Sequence, residues 1–319
     1  MALPRRLSSW LLDKAADPSV RLRVLTEILG RPEGDREVVA ARREIGRTGW
    51  AASILDEQLA GGQWATRGTT DRDLYRPKYI ATNWRLLVLS DLGASGADPR
   101  VARALRLFVR RFGGPRGGLG GRDSEVCFTG NAARLLLKLR GPDDPDAARC
   151  LTWLLRHQKA DGGWHCFPSR TGTLDGWEAL AAFAQVPPDA RSPAMRRSIE
   201  RGAEFYLARG LLREGRRPYA PWERFHYPVH YYYDLLVGLD VLTSLGYGSD
   251  RRMREPLDRL EARRDRDGRW ALDAVHPDME DPNYRVRTPV YPFVLELPGR
   301  PSRWITTTAL VVLRRAGRQ

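Results

Sequence analysis

Gln58-Leu-Ala-Gly-Gly-Gln-Trp64 and Gln158-Lys-Ala-Asp-Gly-Gly-Trp164 are two copies of one pattern, Q-x3-G-x-W. Arg264-Asp-Arg-Asp-Gly-Arg-Trp270 repeats it with arginine in the first place, and Gly117-Gly-Leu-Gly-Gly121 is a degenerate copy. The glycine supplies a positive-φ reversal that other side chains resist, and the indole is expected to pack back over the turn. Trp164 and Trp270 are 106 residues apart. That is two periods of about 53, so one turn between them has lost its signature.

Outward from these turns, apolar stretches ending in glycine or a turn recur along the chain. They run over residues 20–30, 80–93, 127–141, 174–186, 231–246 and 305–317. Glycine just past the last periodic residue is a helix stop. Most are followed by a cap and a second kind of helix. Asp98-Pro99, Asp144-Pro145 and Ser192-Pro193 place an acceptor at the N-cap and proline at the first helical position, and Asp35 and Ser249-Asp250 open two further segments. Because Asp144 belongs to such a cap, the run Asp143-Asp144-Pro145-Asp146 is structural. The first kind of helix is nearly uncharged, as in Leu174-Asp-Gly-Trp-Glu-Ala-Leu-Ala-Ala-Phe-Ala; the second carries an arginine face, as in Val101-Ala-Arg-Ala-Leu-Arg-Leu-Phe-Val-Arg-Arg-Phe. A helix apolar nearly all round is buried and one with a charged stripe faces water. Six inner and about five outer helices in alternation describe two concentric rings, with the segment around Trp10 to Leu12 as the missing outer piece. The expectation is an all-α fold, an (α/α)6 toroid forming a single domain over 1–319. Its units lie at about 16–64, 78–121, 124–164, 171–222, 228–270 and 303–317.

Composition agrees with a folded chain: 42% of the 319 residues are hydrophobic and 29% charged. No stretch approaches the roughly 18 apolar residues of a membrane span, and the N-terminal apolar run is too short for a signal peptide, so the sequence reads as cytoplasmic. Cys127, Cys150 and Cys166 form no CxxC pair, which argues against a disulfide framework. The net charge of +14 would suggest nucleic acid, yet only four of the 53 basic residues are lysine and the arginines are interleaved with Asp and Glu. That scatter argues against a nucleic-acid partner and leaves peripheral contact with an anionic membrane surface open. It leaves the oligomeric state undetermined.

The Q-x3-G-x-W turns, joined to alternating inner and outer helices, resemble the family of squalene and terpene cyclases and protein prenyltransferase β subunits. The resemblance runs from about residue 16 to 317. It implies a toroid whose central cavity holds an isoprenoid or another long apolar small molecule. It further implies that the N-terminal ends of the inner helices, with the turns before them, rim that cavity.

Those segments lie at 73–83, 123–131, 165–175, 225–234 and 301–304, and they gather His165, His226, His230, Cys127 and Cys166. Two chemistries follow. Leu174-Asp175-Gly176 resembles the Asp-Gly-Cys segment that supplies zinc ligands in prenyltransferases, and His230 stands where those enzymes place their zinc histidine. The ligand cysteine's position is Trp177 here, so a zinc site would draw on Asp175, His230, Cys127 and His165. Acid-initiated cyclisation is the other reading. The family's D-x-D-D acid motif is absent, which makes Asp175, Asp234 and Glu125 the candidate acids, with His230 beside Asp234 at helical i,i+4 spacing. Trp177, Tyr231, Tyr232, Tyr233 and Phe128 would supply cation-stabilising walls, and Asn83, Asn131 and Arg170 polar contacts to substrate. Core packing is the plainer account of the aromatic run. The favoured function is a terpene-cyclase or prenyltransferase-like enzyme. The competing class is a non-catalytic lipid-binding or scaffold barrel.

Overall fold

The caps and stops read above become helix boundaries. Asp35, Asp98, Asp144 and Ser192 each accept a backbone N–H from the first turn of the helix they open, and proline occupies the first position of the last three. The computed structural model describes residues 3–66, 69–70, 73–76, 78–214, 217–218, 220–275 and 295–318. In chain order the helices are α1 (Arg5–Leu11), α2 (Pro18–Arg23, continued by a π turn over Val24–Ile28), α3 (Arg36–Glu44) and α4 (Gly49–Asp56). They continue with α5 (Thr82–Asp91), α6 (Pro99–Phe112), α7 (Val126–Arg140), α8 (Pro145–Arg156) and α9 (Glu178–Ala184). The last four are α10 (Pro193–Ala208), α11 (Leu235–Ser244), α12 (Arg254–Ala262) and α13 (Arg303–Arg315). The strands among the described residues are two-residue pieces, such as Trp270–Ala271 paired antiparallel with Pro301–Ser302. The fold is all-α.

Helices α2, α5, α7, α9, α11 and α13 are the inner set. Each places a residue on one central cavity: Thr26 from the π turn, Asp91, Lys138, Ala181, Val237 and Thr308. The ring closes because α13 packs on both α11 and α2. Arg23 Nη1 donates to Thr308 Oγ1 at 2.9 Å, and Arg314 Nη1 donates to the Glu27 carbonyl at 2.9 Å. Helices α6, α8, α10 and α12 form the outer layer, as their charged faces require, and α4 joins them although Asp56 is its one charged residue. The expected sixth outer piece is α1: Arg269 and Arg303 stack on the Trp10 ring at 4.6 and 5.0 Å, and Leu7 reaches Gly268 in the turn after α12. Helix α3 is an addition, packing Val38 and Ala41 on Leu22 and Leu25.

The turns explain their own sequence. Trp64, Trp164 and Trp270 are buried, and each indole N–H donates to a carbonyl ten residues back, Ile54, Leu154 or Leu260, at 2.7 to 2.9 Å. Those carbonyls belong to the last turns of α4, α8 and α12, where i+4 donors run out; Leu154 and Leu260 each accept one further, longer bond of 3.3 Å, from His157 N and Arg263 N. Gly62, Gly162 and Gly268 sit at φ between +82° and +96°. Gln58 and Gln158 each donate to their own turn glycine's carbonyl and to a carbonyl of the next outer helix, Arg100 or Ser198. In the third copy Asp265 takes over the turn bonds, accepting from the backbone of Asp267 and Arg269. In the degenerate copy, Leu119 is the buried apolar residue.

Candidate functional site: two ends of one ring

The N-terminal ends of the inner helices converge on aromatic rings. Trp84, in the first turn of α5, lies 5.0 Å from Tyr75, 5.2 Å from Tyr79, 5.4 Å from His230 and 5.7 Å from Tyr231 by ring centroid. The Tyr79 and Tyr231 hydroxyls are 2.5 Å apart, and the Lys78 ammonium donates to Tyr231 Oη at 3.2 Å. His230 is buried in this cluster with a left-handed backbone, φ 50°. Such a conformation costs about 1–3 kcal/mol in a non-glycine residue. Asn131 Nδ2 holds it by donating to the His230 carbonyl at 2.8 Å. Burial, with a smaller electrostatic contribution from neighbouring His226, brings the His230 imidazole down to about 3, so it is neutral.

Glu178 opens α9 and is completely buried. Among the described residues neither of its carboxylate oxygens has a hydrogen-bond partner. Burial pushes its carboxyl well above the usual carboxylate range, Cys127 and Asp175 add to the shift, and Arg134 opposes it. Burial without a compensating bond favours the neutral acid. Room for it comes from α7: a Cβ on Gly130 would stand 2.6 Å from the Glu178 Cβ.

Below this aromatic layer lies a cavity of about 460 Å3. Its floor is made of Trp177, Tyr227, Val229 and Trp304, with the Tyr227 and Trp304 rings stacked at 4.3 Å. His226 and Asp234 also face it, joined by a 2.7 Å bond between Nδ1 and Oδ2. Its mouth lies at the opposite end, where the C-termini of the inner helices bring Glu27, Asp91, Lys138, Asp240 and Arg315 together. These side chains pair: Arg134 and Lys138 with Asp91 at 3.0 and 2.7 Å, and Arg315 with Asp240 and Glu27 at 2.8 and 3.3 Å. Basic groups there also complement the negative ends of the helix dipoles. Although burial opposes it, Lys138 and Arg134 bring the Asp91 carboxyl down to about 2.

The expected residues fall into several places. Asp234 is the N-cap of α11: Oδ1 accepts from Val237 N at 2.8 Å. Its imidazole partner is His226, which corrects the expected i,i+4 pairing with His230. The helix begins only at Leu235, so residues 230 and 234 never share a helical face. Asp175 is exposed in a short 3-10 turn, and Glu125, the residue before α7, is exposed too. Trp177 lines the cavity and donates to the Tyr231 carbonyl at 3.3 Å. Tyr231 and Tyr232 stack at 4.5 Å within the aromatic layer. Tyr233 points away from the ring axis, donating to the Leu211 carbonyl and packing on Trp222 where the lost turn lies. Phe128 packs outward on Phe108 and Phe112. Asn83 is buried at the start of α5, Asn131 bridges His230 and Arg134, and Arg170 is exposed.

The four zinc candidates do not assemble a tetrahedral donor set. His165 Nδ1 accepts from Phe167 N, Cys166 Sγ accepts from Cys127 N at 3.2 Å, and His230 lies under Tyr79 and Trp84. Among the described residues no group of three or more His, Cys, Asp or Glu is placed to hold a metal. The cysteines are free thiols. No helix among the described residues is long and apolar enough to cross a membrane. Glu178 escaped the sequence reading although its signal was visible. It is the one carboxylate within α9 itself, and an all-round apolar helix is buried.

No protein-family model and no curated protein matches the chain. Among solved structures it is similar to the type II terpene cyclase MstE from Scytonema, at 16% identity and a TM-score of 0.47 over 98% of this chain and 96% of that one. A variant of the same cyclase in complex with geranylgeranyl dihydroxybenzoate gives 16% identity and 0.44 over 98% and 95%. A protein from Actinoplanes gives 17% and 0.44 over 98% of each chain.

Proposed function

We propose that this protein is a terpene-cyclase-like enzyme that folds an isoprenoid or other long apolar substrate in its central cavity and starts the reaction by protonation. The observation that carries the reading is Glu178, a fully buried carboxyl with no hydrogen-bond partner for either oxygen among the described residues, which burial pushes well above the usual carboxylate range. A neutral carboxylic acid is a proton donor strong enough for an alkene only where the resulting cation is stabilised nearby. Trp177, its chain neighbour, offers such an aromatic face to the cavity. Glu178 stands in the wall behind the lining, with Trp177 before it and Ala181 and Gln185 after it facing the cavity. The acid role therefore moves from Asp175, Glu125 and Asp234 to Glu178. Exposure leaves the first two in water, and Asp234 accepts three hydrogen bonds.

The test is incubation of purified protein with squalene-like and polyprenyl substrates, prenylated hydroxybenzoates among them. Glu178→Gln is expected to lower turnover by about 10²–10⁴-fold with its far-UV circular dichroism unchanged. Turnover retained in that variant would remove Glu178 from the chemistry. Saturable binding without turnover by the wild type would favour the non-catalytic lipid-binding barrel.

A further inference from the structure

We infer that Cys127 and Cys166 are a redox-sensitive thiol pair that closes into one reversible disulfide under oxidising conditions, joining α7 to the loop that follows Trp164. The two cysteines are 39 residues apart in sequence, yet Cys127 N donates to Cys166 Sγ at 3.2 Å and the two thiols also hydrogen-bond to each other. Both are free and partly exposed, so a small oxidant can reach them. Helix capping does not account for the contact. Cys127 is the second residue of α7, whose N-cap Glu125 supplies no side-chain hydrogen bond. Helices α6, α8, α10 and α11 take that bond from the oxygens of Asp98, Asp144, Ser192 and Asp234. Sulfur is a weak acceptor, so its presence here gives up cap strength and offers a chemistry that oxygen lacks. Cys150 is the contrast. It is fully buried in α8, and burial pushes its thiol up to about 12, which leaves it inert.

The loop between Trp164 and Thr173 is tied at its ends. Thr173 N donates to the Trp164 carbonyl at 2.9 Å, and the Asp161 carboxylate accepts from Gly163 N and Gly172 N. Between those ties the loop projects, with Phe167 70% exposed and Arg170 exposed. A bond from Cys166 to α7 would fasten this projecting stretch, beside the wall that holds Glu178, whose carboxyl feels Cys127. Oxidised glutathione, a small disulfide, serves as the oxidant. The hydrogen bond with Cys166, and then burial, push the Cys127 thiol up, so first attack falls to Cys166. The Cys166 S–H proton goes to water, its sulfur bonds one glutathione sulfur, and the glutathione S–S bond breaks. The released thiolate takes up a proton. Cys127 then gives its proton to solvent and attacks Cys166 Sγ, and the second glutathione leaves as a thiol. Two protein S–H bonds have become one S–S bond, and the oxidant has taken up two electrons and two protons.

The test needs no substrate. Purified protein is reduced, held in oxidised glutathione, digested with trypsin without reduction and mapped by mass spectrometry. The segment 123–134, which carries Cys127, is expected to appear joined to 160–170, which carries Cys166. Free thiols counted in the unfolded protein should fall from three to one, and dithiothreitol should restore them. The thermal midpoint should rise on oxidation, because a cross-link across 39 residues restricts the unfolded chain. Cys127→Ser is expected to take one glutathione on Cys166 and form no joined segment. Cys166→Ser should keep both remaining thiols, with no rise in midpoint. Three free thiols after oxidation, a join through Cys150, or a bond between two molecules overturns the pair. A glutathione left on wild-type Cys166 with Cys127 still free overturns it as well.

Discussion

The two ends of the ring use the same six helices for opposite environments. At the N-terminal end, aromatic rings cover a neutral imidazole, and burial pushes the Glu178 carboxyl well above the usual carboxylate range. At the C-terminal end, each of the paired carboxylates and cations has a partner of opposite sign and a share of solvent. The difference is desolvation against pairing. Burial favours the neutral forms of His230 and Glu178, whereas Arg134 and Lys138 hold Asp91 charged despite its burial.

Four substitutions break or sharpen that contrast. The largest effect is expected at the N-terminal end, from Trp164→Ala. It empties a fully buried site and removes the indole N–H bond to the Leu154 carbonyl, so denaturant unfolding should show a loss of about 3–5 kcal/mol. A loss under about 1 kcal/mol would mean that the turn does not hold the outer helix to the ring. At the mouth, Asp91→Asn should cost about 2 kcal/mol at neutral pH. Because the folded carboxyl titrates below its usual 3.8, that stability is present above 3.8 and lost as pH falls through about 2. The gap between variant and wild type should close over that window in unfolding curves at successive pH values.

His230 sets the next effect, with its sign fixed by its depressed folded value of about 3. Between 3 and 6.5 the unfolded chain binds a proton that the folded chain refuses, so stability falls on acidification. From pH 7 to 5.5 the wild type should lose about 1 kcal/mol more than His230→Asn, whose asparagine tolerates the left-handed backbone. Parallel pH curves would show that the imidazole is protonated inside the fold. The smallest effect belongs to Arg42→Ala, at the half-exposed pair with Glu33. It should stay within about 0.5 kcal/mol and vanish in high salt.

Much of the architecture was legible because it rests on local rules. Asp98, Asp144 and Ser192 cap their helices with side chains a few residues from the N–H groups they satisfy. The site was less legible. His230 and Asp234 read as one helical face, but Asp234 caps the helix and so ends that face before it begins. Tyr233 and Phe128 read as cavity walls because aromatic type alone carries no direction; each turns outward to fill a gap between layers. The partner of Asp234 is eight residues away in a non-helical loop, a spacing that no periodicity reports.

By itself the sequence determined the helices, their inner or outer rank and the turns that join them, since propensity, capping and amphipathic pattern act within a few residues. Only the tertiary structure decided which polar groups keep their charge. Asp91 and Glu178 both sit at ends of inner helices, and nothing in either neighbourhood of sequence separates them. Two cations from α7 reach Asp91, whereas the backbone of α7 closes over Glu178 at Gly130. Charge in a protein interior depends on what stands within a few ångströms, and those neighbours come from other helices.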